Sequence, residues 1–174
     1  MEYSLQGGVC QNSSRKTCYK VEVPGAKSLK KTAVHELVLE SDVLINIPVL
    51  KNHRGTHLTI AMKNLMGIVW DRLAYHSNDL DQCIADFCLY KKPDLNIVDA
   101  YRVMMKDGPQ GSVPGNAVLK KTLLISEDLV AIDAAATKIF GMKPEEVRYI
   151  KVANELGIGN MNLNELKIKK HVIS

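Results

Sequence analysis

The sequence predicts an α/β domain with a mostly parallel or mixed sheet and helices on both faces, and three observations predict it. From Val43 to Leu50 apolar and β-branched residues run almost without interruption, the composition of a strand buried on both sides. Leu58, Ala61, Met62, Leu65 and Val69 then recur at helical spacing, forming one apolar stripe. Further along, strand-like and helix-like runs alternate, the order that produces a sheet flanked by helices.

Residues 1–19 carry little periodicity and read as a loose lead-in. Lys20 to Val23 is a short strand ended by Pro24 and Gly25, and Leu29 to Leu39 is a weaker segment that could contain a helix. The Val43 strand leads to a helix over His57–Val69, which Thr56 is placed to cap. A helix from about Asn78 to Tyr90 shows the stripe Leu80, Cys83, Ile84, Phe87, Cys88, which makes its two cysteines packing residues. A strand at Leu95–Val98 and another at Thr122–Ile125 enclose a turn-rich excursion from Asp107 to Asn116. The next helix, Leu129–Phe140, stops at Gly141; Pro144 starts another with Glu145 and Glu146 in its first turn, and Gly157 stops it. Leu166–Ile173 reads as a final strand.

Composition narrows the function classes. The 174 residues read as one domain, large enough to bury its own core. Apolar residues at 46% and charged residues at 24% are ordinary for a globular chain. A net charge of +4, 5% aromatics and no Lys/Arg block argue against nucleic acid as partner. No apolar run is long enough for a transmembrane segment, and the first residues lack the pattern of a signal peptide. The four cysteines, Cys10, Cys18, Cys83 and Cys88, match neither a zinc nor an iron–sulfur spacing. No HExxH, no Walker-type phosphate loop and no GxGxxG after a strand is present.

The chemistry concentrates between Val43 and Gly67. Lys51, His53, Arg54 and His57 follow within a few residues of the strand, and with Gly55 and Thr56 opening a helix they make an anion site at a helix N-terminus. Thr59, Lys63 and Gly67 at i, i+4 and i+8 share one helix face, with Asn64 beside Lys63; the alternative is a solvated surface lysine. Strands of parallel sheets deliver function at their carboxyl ends, so Asp99 and Asp128 are expected to face Lys51 and His53 across a common crevice. The plainer reading is that Asp99 turns the chain and Asp128 caps the Leu129 helix. Asp133 lies among Ala131, Ile132, Ala134 and Ala135, where a half-buried acid needs a partner: Thr137 locally, or Lys51 or Lys63. His76, in the loop between two helices, could fold back over the cationic loop; the plainer reading is a solvated loop histidine. Gly108 lies in the 105–116 segment, long enough for a binding loop and equally a hairpin excursion.

PVLKNH at 48–53, AMKNLMG at 61–67, His76, IVDA at 97–100, DGPQG at 107–111 and DLVAIDAAATKIFG at 128–141 together resemble the domain of unknown function 362 (DUF362) family over about residues 40–160. The resemblance implies a lysine-and-histidine segment after a strand, a KN..G helix and an Asp-bearing helix after a second strand. Many members carry a ferredoxin-like domain with clustered cysteines that hold a 4Fe–4S group, which this chain lacks, as it lacks the upstream strand–helix unit of fuller members. The chain therefore reads as a fragment or shortened member of a longer architecture, its own cofactor undetermined and a ferredoxin-like domain or redox partner implied. Two functions follow. In one, Lys51, Thr56, Asn64, Gly67, His76, Asp99, Gly108 and Asp128 bind a small anionic substrate or cofactor while His53, Lys63 and Asp133 perform proton chemistry in a redox-linked protein. In the other, the same basic pocket binds an anionic ligand or partner without turnover.

Overall fold

The computed structural model describes residues 18–108 and 116–172. They form an α/β structure with a two-stranded antiparallel sheet, a five-stranded mixed sheet and six α-helices. The expected class is borne out, and the lead-in, Cys10 and most of the 105–116 excursion lie outside the described residues.

The first sheet is the hairpin β1 (Cys18–Glu22) and β2 (Lys31–His35), turned at Pro24 and Gly25. The 29–39 segment thus divides into a strand and the one-turn helix α1 (Glu36–Glu40). Asp86, fully buried, ties this hairpin to the helical layer by accepting the backbone N–H groups of Ser28 and Leu29 at 2.7 and 2.8 Å.

The main sheet centres on β6 (Leu95–Met104). Along one side run β3 (Ile45–Asn46) and β4 (Val49–His53), both parallel to it, with Pro48 interrupting what would otherwise be one strand. On the outside of β4 lies β5 (His57–Thr59), antiparallel. On the other side of β6 runs β7 (Ala117–Ser126), antiparallel over ten residues, so the 105–116 segment joins the two arms of a hairpin. Both strands extend beyond their apolar centres because main-chain pairing continues past the patterned residues.

The helices α2 (Ala61–Asn64), α4 (Leu80–Tyr90), α5 (Leu129–Phe140) and α6 (Arg148–Glu155) pack on one another and against one face of this sheet. Between them lies a single core that includes Leu50, Leu58, Ile60, Val98, Leu129 and Tyr149. Helix α4 follows the sequence expectation, with Asp79 as its cap and Cys83 and Cys88 fully buried in packing roles. Helix α5 also follows it: Asp128 caps it through Val130 and Ala131, and Gly141 ends it with φ +103°.

Four expectations need correction. The Val43 strand is not buried on both faces: Leu50 and Asn46 point inward, while Val43, Ile45, Ile47 and Val49 are exposed, because the helical layer lies on one face of the sheet and no described helix covers the other. The 57–69 helix is broken: His57–Thr59 pairs as β5, α2 has four residues, and Leu65–Ile68 is a 3-10 turn. Pro144 opens a 3-10 turn, Pro144–Glu146, with α6 (Arg148–Glu155) following. Residues 166–172 form no strand.

Candidate functional site

The cationic segment is a hairpin, not a helix entrance. β4 and β5 pair Lys51 with Thr59, Asn52 with Leu58 and His53 with His57, so the two histidines face each other across a turn made by Arg54, Gly55 and Thr56. His57 takes φ +61° to close it, a conformation that costs a non-glycine residue energy and is held by the surrounding pairing. Thr56 does not cap a helix; its hydroxyl donates to Leu58 O at 3.0 Å and lies 3.2 Å from His53 Nδ1. That same Nδ1 accepts the Gly55 N–H at 3.1 Å, which places the proton of a neutral imidazole on Nε2.

Helix α2 begins four residues after the turn, and its N-terminus is already occupied. Ile60 offers no side-chain cap; instead the carboxylate of Asp133, on α5, accepts the N–H groups of Ala61 and Met62 at 2.8 and 3.1 Å. The helix start is thereby already filled by a carboxyl group from within the chain. Asp133 is 0% exposed, and its partners are neither of those the sequence offered: Thr137 donates its hydroxyl to the Asp133 main-chain carbonyl, and among the described residues no lysine bonds the carboxylate. Burial pushes the Asp133 carboxyl up to about 8, opposed by the two N–H groups.

With α2 fixed this way, Lys63 is carried into the interior. It is 7% exposed, and its ammonium donates to the thioether of Met66 at 3.5 Å. Among the described residues no carboxylate lies within 4.0 Å of Lys63 or Lys51. The surface-lysine reading is excluded. Burial lowers the Lys63 ammonium to about 8; the positive charge of Lys51 adds to this and Asp81 opposes it. His53 is lowered to about 4, first by burial and then by the charges of Lys63, His76 and Lys51. Lys63, His76 and Lys51 are thus near enough for their charges to act on His53, and His76 lies on the exposed end of the short helix α3 (Leu73–His76).

One acid close enough for its charge to act on Lys63 is missed by the sequence reading. Asp81 lies in the first turn of α4; the preceding Leu80 sits 3.7 Å from where a Gly55 side chain would begin. Its Oδ1 is buried without a hydrogen-bond partner, and burial raises its carboxyl. The spacing of His76, Asp79 and Asp81 around the start of a helix was the available signal.

The expected common crevice does not form. Because β7 runs antiparallel, its carboxyl end pairs Ser126 with Asn96, whereas Lys51 pairs with Met104 at the other end of β6. Asp128 is thus at the opposite end of the sheet, where it caps α5 and accepts the Asn160 N–H at 3.0 Å. Asp99 pairs with Val49 in mid-strand and accepts the Tyr101 N–H at 2.8 Å beside a bulge, so it does not turn the chain either: β6 runs on to Met104. Asn64 points beneath the sheet, donating to Asn46 Oδ1 at 2.8 Å; Asn46 in turn donates to Asn96 Oδ1 and to Ala61 O, both at 3.0 Å. This buried amide chain holds α2 to β3 and β6, a positioning task that sequence spacing did not disclose. Gly67 lines a separate cleft of about 200 Å³ with His35, Trp70 and Arg72. Gly108 does reach the cationic hairpin: its N–H donates to Asn52 Oδ1 at 3.2 Å, and a side chain there would begin 1.9 Å from Asn52 O.

Metal chemistry finds no donor set here. Among the described residues no group of three or more His, Cys, Asp or Glu side chains is placed to hold an ion. Cys83 and Cys88 sit on one helix in the core with their thiols pushed up by burial, Cys83 to about 11, so they do not fit a 4Fe–4S cluster. Among the described residues no helix is long and apolar enough to cross a membrane.

A sheet covered by helices on one face, with Lys51 and His53 on its strand-end hairpin and Lys63 buried on the helix that follows, defines an α/β domain. The chain belongs to the DUF362 family, a domain of unknown function, whose model matches residues 4–138. It is also similar to a thylakoid-associated protein of Synechocystis sp., 27% identical over 128 residues that make up 69% of this chain and 39% of that one. The chain thus spans about two fifths of the length of this relative. No solved structure matches.

Proposed function

We propose that this domain binds a small anionic substrate or cofactor at the β4–β5 hairpin, with Lys51 and Lys63 supplying charge, His53 Nε2–H donating a hydrogen bond and His76 closing over the ligand. One observation carries the reading: Lys63 is buried without a carboxylate partner, beside a second lysine and two histidines. Unpaired buried charge is expensive, and a ligand carboxylate, phosphate or sulfate would relieve it. The Gly55 and Thr56 contacts hold the His53 ring with Nε2 free for the ligand. Asp133 and Asn64 are positioning residues: they fix α2, and α2 carries Lys63. Asp81 opposes the lowering of Lys63 from a distance without pairing with it, its own carboxylate lying 3.9 Å from Arg148. The link to redox chemistry rests on the family resemblance and would be supplied by a ferredoxin-like domain or partner, since the buried Cys83 and Cys88 do not fit a cluster.

Binding without turnover is favoured by one feature, the low proton affinity of His53, which makes it a donor and a weak base until a ligand's negative charge raises it. Native mass spectrometry and elemental analysis of protein purified without oxygen test both readings. A retained anion released by Lys51→Ala, with the fold intact, supports the site; a retained anion that Lys51→Ala leaves bound removes Lys51 from it.

A further inference from the structure

Lys63 carries a buried amine with no acceptor suited to a charge. Its Nζ lies 3.5 Å from the Met66 thioether, and among the described residues no carboxylate lies within 4.0 Å of it. A thioether only accepts, so it takes one N–H and leaves the lone pair of a neutral amine free. The side chain is delivered by a fixed element, since the Asp133 carboxylate and the amide chain of Asn64, Asn46 and Asn96 hold α2. Lys51 and His53, on β4, complete the surroundings, with Lys63 and Lys51 near enough for their charges to act on His53. Desolvation and a neighbouring cation are the conditions that make a lysine a nucleophile, and here burial and the charge of Lys51 lower Lys63 to about 8.

We propose that the Lys63 amine reversibly adds carbon dioxide, forming a carbamate held by Lys51 and by the Nε2–H of His53. The neutral nitrogen bonds through its lone pair to the carbon, one C=O electron pair moves onto oxygen, and the nitrogen releases one proton to water. An N–C bond forms and an N–H bond breaks; nothing is oxidised or reduced. Size selects the reagent: an amine this deeply buried is closed to large or charged electrophiles, whereas carbon dioxide is small and uncharged. Charge selects the product. As an ammonium Lys63 is buried among other cations; as a carbamate it becomes the charged acceptor that no carboxylate provides to Lys51 and His53. Asp81, the acid whose charge reaches Lys63, lies 3.9 Å from Arg148, which offsets its repulsion of the product. On the anion reading of this cluster, on which this rests, carbamylation regulates the site: the modified chain carries its own anion and excludes an external one.

Carbon-13 NMR of the full chain, labelled with nitrogen-15 at the lysine Nζ atoms and held in carbon-13 bicarbonate at pH 8, tests it. Lys63→Met and Lys63→Arg are separate variants, the second keeping the charge on a guanidinium that does not deprotonate, and circular dichroism checks their folding. The expected result is a carbamate carbon resonance split by its bonded nitrogen-15 and lost in both Lys63 variants. Its formation should be about tenfold weaker in Lys51→Ala, which removes one charged hydrogen bond. No split resonance in the wild-type chain overturns the carbamate, as does one that a folded Lys63 variant or Lys51→Ala leaves undiminished. Bicarbonate or phosphate held as an ion only, without the split resonance, overturns the carbamate and leaves the anion site standing.

Discussion

The carboxylate of Asp133 accepts the backbone N–H of Ala61 at 2.8 Å although the two residues are 72 apart in sequence. Through this bond and its neighbour on Met62, helix α5 sets where α2 starts and therefore where Lys63 points. Asp133→Ala leaves two buried donors unsatisfied and is expected to cost about 2–4 kcal/mol in urea denaturation. Asp133→Asn, which keeps one acceptor oxygen, is expected to lose less. Equal losses for the two would show that the bonds to α2 contribute nothing particular.

Lys63→Met is predicted to do the reverse. Its ammonium is buried beside a thioether and other cations, so an isosteric apolar side chain should raise stability by about 1–2 kcal/mol while removing anion binding. Reduced stability in this variant would mean that the amine has a partner in the folded protein.

The pH dependence follows from the directions of the two cationic shifts. His53 titrates near 4 when folded against 6.5 unfolded, so between those values the unfolded chain binds the extra proton, and stability contributed by neutral His53 is lost as pH falls through this window. Lys63 titrates near 8 against 10.5, so from pH 8 to 10.5 the unfolded chain again holds more protons and stability rises with pH. Denaturation curves of wild type minus Lys63→Met isolate the second effect: their difference should shrink across this range, and a constant difference would contradict it.

Gly108→Ala places a methyl group 1.9 Å from the Asn52 carbonyl oxygen, which is backbone and cannot yield without moving β4. The expected loss is about 1–3 kcal/mol together with weaker anion binding, since Asn52 lies between Lys51 and His53. Unchanged thermal stability would separate this loop from the hairpin.

Much of the fold was legible because its strongest signals are local. The α4 stripe, the Asp128 cap and the Gly141 stop each lie within a few residues of what they determine, and all three appear as read. The direction of β7 was not legible: an apolar strand carries no mark of parallel or antiparallel pairing, and that direction sent Asp128 to the far end of the sheet. Helix α2 misled for a similar reason. Its apolar stripe runs on through β5 and a 3-10 turn, while the carboxylate that starts the helix comes from Asp133, far along the chain. Of the proposed site, adjacency to a strand end and loop position singled out Lys51, His53 and His76, and spacing on the helix singled out Lys63. Asp81 escaped because its role depends on α4 packing against the hairpin.

The central claim, that the buried Lys63 amine and its neighbours await an anion, is tested most directly by calorimetric titration of inorganic phosphate into the full chain at pH 7. Lys63→Met is the test variant and the exposed Lys151→Ala the control. The account predicts saturable binding by wild type and control, with proton uptake on binding and at least a tenfold loss in Lys63→Met. Binding of equal strength in all three proteins, or none in any of them, would contradict it.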